Sequence, residues 1–166
     1  MAEPLEIHKE LHLLGNGKEI AFDVVHRPYF VIAIPRHSDH QRLLLIRQYR
    51  PSWRTFSVEF PAGVSDSTDT NYEHTCRREL EEEAGFMARK LTRLGVFKHS
   101  SRTTQECVVF LAEDLQETAT NFDEGEFIEE AMWMTPDEIE RSISSGVIMD
   151  VSHIAAWSRY RAHANL

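Results

Sequence analysis

Between Glu59 and Phe86 the chain reads EFPAGVSDSTDTNYEHTCRRELEEEAGF, and no other segment narrows its possible folds as far. A strand-like stretch runs to Pro61-Ala62-Gly63, and a polar loop rich in Ser, Asp and Thr follows. Thr70 and Glu73 match a T-x-x-E capping box that would open a helix. Tyr72, Cys76, Leu80 and Ala84 recur at helical spacing to give it an apolar side, and Gly85 is a suitable stop. Within that helix stand Glu79, Glu81, Glu82 and Glu83. Spacings of three and four residues put Glu79, Glu82 and Glu83 on one face, with Glu81 on the opposite, exposed side. Each like-charged pair costs roughly a few tenths of a kcal/mol. Such a face is either simply solvated or built to receive a cation. Carboxylates clustered in this way suit the hard cations Mg²⁺ and Mn²⁺, which commonly also bind phosphate groups and water.

The rest of the chain bounds the reading. Its 166 residues suffice for one domain with a substantial core, spanning 1–166. A formal net charge of −9 excludes broad binding to a nucleic-acid backbone, which requires a basic surface. It leaves room for a small anionic substrate, because a bound cation inverts the local potential. The N-terminal residues lack the apolar core of a signal peptide, and the longest apolar runs are too short to span a bilayer, so the cytoplasm is the expected compartment and no membrane partner is expected. Cys76 and Cys107 are too few for a disulfide framework. The histidines show no H-x-E or H-E-x-x-H pattern, and Asp66 to Asp69 does not continue into a calcium loop.

Leu5 to Leu14 and Lys18 to Arg27 alternate around Gly15-Asn16-Gly17, which predicts an N-terminal hairpin within residues 1–27. Further strands are expected at Tyr29 to Pro35, Leu43 to Tyr49, Leu91 to Lys98, Cys107 to Ala112 and Glu130 to Met134. Thr135, Pro136 and Glu138 supply an N-cap, an N1 proline and a capping-box glutamate for a second helix ending at Gly146. A last helix starts at Asp150 or Ser152 and reaches about Ala164. Strands interleaved with three helices predict an α/β fold arranged as an α/β/α sandwich.

The acidic segment resembles the Nudix hydrolases, whose signature is G-x5-E-x7-R-E-U-x-E-E-x-G-U, with U aliphatic or aromatic. Arg78, Glu79, Leu80, Glu82, Glu83, Gly85 and Phe86 match the second half at every defined position. The first half departs: one extra residue lies between Gly63 and Thr70, and Asp69 or Thr70 replaces the glutamate. LLLIRQYRPSWRTFSVEFPAG and DEGEFIEEAMWMTPDEIERSISSGVIMD resemble the branch that hydrolyses ADP-ribose and other nucleoside diphosphate sugars. The proline that this branch commonly carries downstream, often within S-P-G, is absent; His99-Ser100-Ser101-Arg102 stands there.

The resemblance implies a sandwich with a mixed sheet, Mg²⁺ (or Mn²⁺) as cofactor, and a homodimer to which the hairpin contributes. It implies metal ligation by Glu79, Glu82, Glu83 and the Ala62 carbonyl, with Arg78 orienting a metal-binding glutamate such as Glu82. Arg47, Arg50, Glu59, Gly63 and Glu106 match positions lining the substrate cleft. Arginine suits diphosphate oxygens through its planar donor fork, although a strand-edge arginine also serves in structural ion pairs. Trp53, Tyr29 and Phe30 are candidates to stack on a base or, alternatively, to pack in the core or at a dimer contact. Glu124 and Glu126 match the acidic loop that supplies the general base and sometimes a further metal ligand; the alternative is a solvated loop. The expected activity is Mg²⁺-dependent hydrolysis of a nucleoside diphosphate sugar, ADP-ribose-like or hexose-linked, to a mononucleotide and a sugar phosphate. Two alternatives are a housecleaning nucleoside triphosphate pyrophosphatase and a catalytically silent nucleotide sensor.

Overall fold

The computed structural model describes residues 7–98, 100–119 and 127–166. The elements run β1 (Ile7–Leu13), β2 (Glu19–Val25), β3 (Phe30–Pro35), β4 (Leu43–Arg50), β5 (Thr55–Glu59), β6 (Ala62–Val64), α1 (Tyr72–Ala84), β7 (Phe86–Phe97), β8 (Cys107–Glu117), β9 (Ile128–Met134), α2 (Pro136–Ser144) and α3 (Val151–Ala164).

Strands β6-β3-β8-β7 form a mixed sheet in which β3 and β8 run parallel and the outer pairs antiparallel. Alternation along its two central strands builds the sandwich. Val31 and Ala33 of β3, with Val108, Phe110 and Ala112 of β8, pack on Cys76, Leu80 and Ala84 of α1. Ile32, Ile34, Cys107, Val109 and Leu111 turn the other way, toward Ala156, Trp157 and Tyr160 of α3. Both faces are covered, which is why β3 reads as an unbroken apolar run. Each fully buried Leu or Ile here contributes about 1.5–3 kcal/mol. A second, antiparallel sheet of order β5-β4-β9 places Leu43 and Leu45 in the α3-side core, and Leu44 and Ile46 in the α1-side core.

The hairpin forms as a separate two-stranded sheet, with Gly17 at φ 79° in its turn; residues 1–6 of the expected hairpin lie outside the described residues. It joins the body where Val25 bonds Arg102 and Thr104, and it leaves Ile7, Leu11 and Leu13 each at least 66% exposed.

Three local expectations need correction. The α1 cap is Asn71, not Thr70: its side chain accepts from His74 N at 2.9 Å, so the T-x-x-E match is not used. β7 starts directly after the left-handed Gly85 rather than at Leu91. Glu81 is half-buried, its Oε1 accepting from Thr118 Oγ1 at 2.9 Å, because β8 runs past the expected Ala112 to Glu117 and brings Thr118 to the helix. The α2 capping box forms as expected, and Asp150 rather than Ser152 caps α3.

Candidate active site

Helix α1 lies on the mixed sheet beside β6, so its acidic face meets the Ala62-Gly63 backbone. Glu79 and Glu83, one turn apart, are only 6% and 2% exposed. Oε2 of Glu83 accepts from the Ala62 backbone N–H at 2.7 Å. Glu79 lies against Gly63 so closely that a Cβ there would stand 2.0 Å from its Cδ and Oε1. Glycine is required at this point for space, its φ being ordinary.

Arg78 organises the outer part of the face. Its guanidinium meets Glu82 at 2.8 Å, Glu79 at 2.9 Å, Asp69 at 2.8 Å and Asp66 at 3.6 Å, and also donates to the Val64 carbonyl at 3.1 Å. Asp69 raises the pKa of Arg78 most, with Glu79 and Glu82 adding to it against the effect of burial. Burial opposes ionisation of Asp69, but hydrogen bonds from Arg78, the Asp66 backbone and Thr75 outweigh it and hold its pKa low. His74 Nδ1 lies 2.9 Å from the same carboxylate. Of Asp69 and Thr70, the two candidates to replace the signature glutamate, Asp69 is thus the one that engages Arg78, and the longer loop delivers it there.

Four carboxylates around one guanidinium, with Glu83 beside them, leave an excess of negative charge against β6. Among the described residues, no three His, Cys, Asp or Glu side chains are already gathered as a metal-holding group. The hard-oxygen character of these carboxylates, with Glu79 brought against the Ala62-Gly63 backbone by the absence of a Cβ at Gly63, nevertheless fits a cation such as Mg²⁺. Such a cation normally keeps several waters and takes substrate oxygens, so few protein ligands suffice.

The other expected residues are spread around this face. Arg50 donates to both oxygens of Glu59, through Nε to Oε1 at 3.0 Å and through a terminal nitrogen to Oε2. Burial lowers the pKa of Arg50, but Glu59, Glu83 and Asp150 together raise it overall, which ties this arginine electrostatically to α1. Glu59 has no exposed surface, so it does not itself line a cleft; it holds Arg50 in place. Arg47 pairs with Glu129 and lies over the Phe56 ring at 4.0 Å, the ion-pair alternative for that position. Trp53 is 41% exposed in the turn after β4. Glu106 accepts from Tyr72 Oη at 3.1 Å and pairs with Lys98 at 3.0 Å. Tyr29 packs edge-on to Tyr72 at 4.5 Å, and Phe30 packs on the α3-side core. Both side chains take the packing alternative. Glu124 and Glu126 lie outside the described residues. Sequence reasoning missed His153 on α3, which lies 3.3 Å from Glu59 across the core; no local pattern marks such a contact.

The Nudix domain model matches residues 26–150. The ADP-ribose pyrophosphatase of Bacillus subtilis (strain 168) is 33% identical over 149 residues, covering 88% of this chain and 79% of that one. The ADP compounds hydrolase NudE of Escherichia coli (strain K12) is 32% identical over 104 residues, covering 62% of this chain and 54% of that protein. A solved structure titled "Crystal structure of ADP compounds hydrolase" superposes with a TM-score of 0.82 at 21% identity, covering 99% of this chain and 89% of that one. With its signature carboxylates set on β6 and the domain match spanning most of its length, this chain belongs to the Nudix family, as a Nudix pyrophosphohydrolase.

Proposed function

We propose that the protein hydrolyses the diphosphate bond of a nucleoside diphosphate sugar, ADP-ribose or a related ADP-linked compound first, to a mononucleotide and a sugar phosphate. The observation that carries this reading is the acidic face of α1, with Glu83 bonded to the Ala62 N–H and Glu79 seated on Gly63. The substrate class is supported by the similarity to an ADP-ribose pyrophosphatase and an ADP compounds hydrolase. Glu79, Glu82, Glu83 and the Ala62 carbonyl would hold Mg²⁺ or Mn²⁺. A bound divalent cation supplies charge neutralisation at the diphosphate and makes water more acidic.

The chain's own residues supply position and charge. Arg78 holds Glu82 and Glu79 in fixed orientation through bonds of 2.8 and 2.9 Å. Arg50, half-exposed and gripped by buried Glu59, offers a pre-aimed cation to a diphosphate oxygen. Arg47 is a second candidate once it leaves Glu129. Trp53 offers a ring for the base, and Glu106 a polar group at the far rim. Glu124 is the proposed general base and Glu126 the acid nearer the cations, both on the strength of the family resemblance. The exposed apolar side of the β1-β2 hairpin supports a homodimer. No helix among the described residues is long and apolar enough to cross a membrane, and the cytoplasm remains the proposed compartment.

A panel of nucleotide sugars and nucleoside triphosphates, each with Mg²⁺ or Mn²⁺ and with products identified, tests the proposal. Release of mononucleotide and sugar phosphate is the expected result. Inorganic pyrophosphate released from triphosphates alone would replace it with a housecleaning role, and binding without turnover with a sensor.

A further inference from the structure

Three backbone groups in succession, on Phe60, Pro61 and Ala62, are each tied to a different element. Phe60 N–H donates to His153 Nδ1 at 3.2 Å, Ala33 N–H donates to the Pro61 carbonyl at 2.9 Å, and Ala62 N–H donates to Glu83 at 2.7 Å. The first tie comes from α3, the second from β3 and the third from α1. His153 is 3% exposed and has a second partner, because its Nε2 lies 3.3 Å from Glu59 Oε2. An amide N–H only donates, so Nδ1 must be the acceptor, and this fixes the tautomer that carries its proton on Nε2. That proton points at Glu59. Glu59 Oε2 also receives Gln48 Nε2 at 3.3 Å, and the carboxylate as a whole holds the Arg50 fork. One imidazole thus braces both the backbone leading to Ala62 and Gly63 and the carboxylate that aims Arg50.

We infer that His153 is a positioning residue for the diphosphate site, acting through Glu59 on Arg50 and through Phe60 N–H on the Ala62-Gly63 backbone. It touches neither substrate nor reacting atoms. The inference rests on the proposed hydrolysis only for its kinetic readout. Its two arms are separable by chemistry. In His153→Asn the side-chain oxygen replaces Nδ1 as acceptor, while the donor to Glu59 is lost. In His153→Gln the longer amide replaces Nε2 as donor, while the acceptor for Phe60 N–H is lost.

The test measures KM and kcat on ADP-ribose, the Mg²⁺ concentration for half activity, and thermal midpoints for both variants. His153→Asn should raise KM on the order of tenfold, the scale of one misaligned charge-assisted contact, with the Mg²⁺ requirement little changed. His153→Gln should raise the Mg²⁺ requirement more than KM. Variants that lose only thermal stability, with KM and Mg²⁺ requirement as in the parent, would overturn the inference and leave His153 a packing residue. ¹⁵N NMR of the His153 ring in the parent protein gives an answer independent of turnover. An Nδ1 that accepts and an Nε2 that carries the proton support the arrangement, and a proton on Nδ1 refutes it. A parent that hydrolyses no nucleotide sugar would defeat the proposed function, and the ring tautomer would still decide this inference.

Discussion

Gly63→Ala places one methyl group where the structure leaves no room for it. The new Cβ would stand 2.0 Å from Cδ and Oε1 of Glu79 and 2.2 Å from Oε2, far inside the 3.0 Å limit for real contacts. The carboxylate is the far end of a flexible side chain, so it is the part that yields. It has to retreat by roughly 1 Å, and a displacement of that size at a reacting centre costs on the order of a hundredfold in rate. That corresponds to about 2.7 kcal/mol of barrier. Stability should change little, because alanine in a strand is intrinsically better than glycine by about 0.5–1 kcal/mol, which offsets the strain of moving Glu79. The 2.9 Å contact between Glu79 and Arg78 would be lost with the shift. The assay is steady-state release of mononucleotide across a Mg²⁺ titration, alongside thermal unfolding. Turnover within about threefold of the parent at saturating Mg²⁺ would refute the claim that Glu79 must sit against β6. Activity lost only in step with a collapsed thermal midpoint would refute it equally, since misfolding would then be the cause.

Glu83→Gln keeps an oxygen for the Ala62 N–H and removes the charge. Turnover should fall by on the order of a hundredfold or more with the fold retained, and near-parental turnover at saturating Mg²⁺ would exclude Glu83 from the cation site. Burial opposes the charge of Glu59, yet His153 and Arg50 bring its pKa from 4.5 down to about 2. A depressed folded pKa means that stability is present in full above the ordinary value and is lost as pH falls toward 2, on the order of 3 kcal/mol in all. The stability gap between the parent and Glu59→Gln, measured by denaturant titration, should therefore narrow between pH 4.5 and 2; a gap constant over that range contradicts the assignment. Light scattering should show a dimer at micromolar concentration, and Leu11→Lys with Leu13→Lys should give a monomer. A parent that is already monomeric would rule out the hairpin interface.

Much of this architecture is written locally. The apolar run of Val31 to Ile34, the Thr135-Pro136-Glu138 start of α2 and the carboxylate spacing of α1 all depend on near neighbours, and the structure follows them. The α1 cap lies one residue beyond Thr70 because Thr70 and Asn71 are both competent caps, and the loop before them decides between the two. That loop commits Asp69 to Arg78 and His74, which leaves Asn71 to meet the helix N–H groups. β7 begins five residues before Leu91 although Phe86 to Lys90 alternates poorly, because its pairing with the end of β8 is settled by a distant partner. The roles of Glu59 and Gly63 were harder to read. Each faces a partner on another element, His153 on α3 and Glu79 on α1, and one-dimensional spacing carries no record of such meetings.

The parallel pairing of β3 with β8 has a consequence for the birth of the molecule. On a ribosome, β3 and the acidic helix emerge well before Cys107, where the strand that closes the free edge of β3 begins. Through that interval Val31 to Ile34 have β6 on one edge and nothing of their own chain on the other. Non-local parallel pairs are slow to close, because the loop entropy is spent before the contacts are gained. A nascent chain halted before β8 therefore presents an apolar strand edge to its neighbours, and synthesis rate and chaperone supply, rather than final stability, set how much of it reaches the native state.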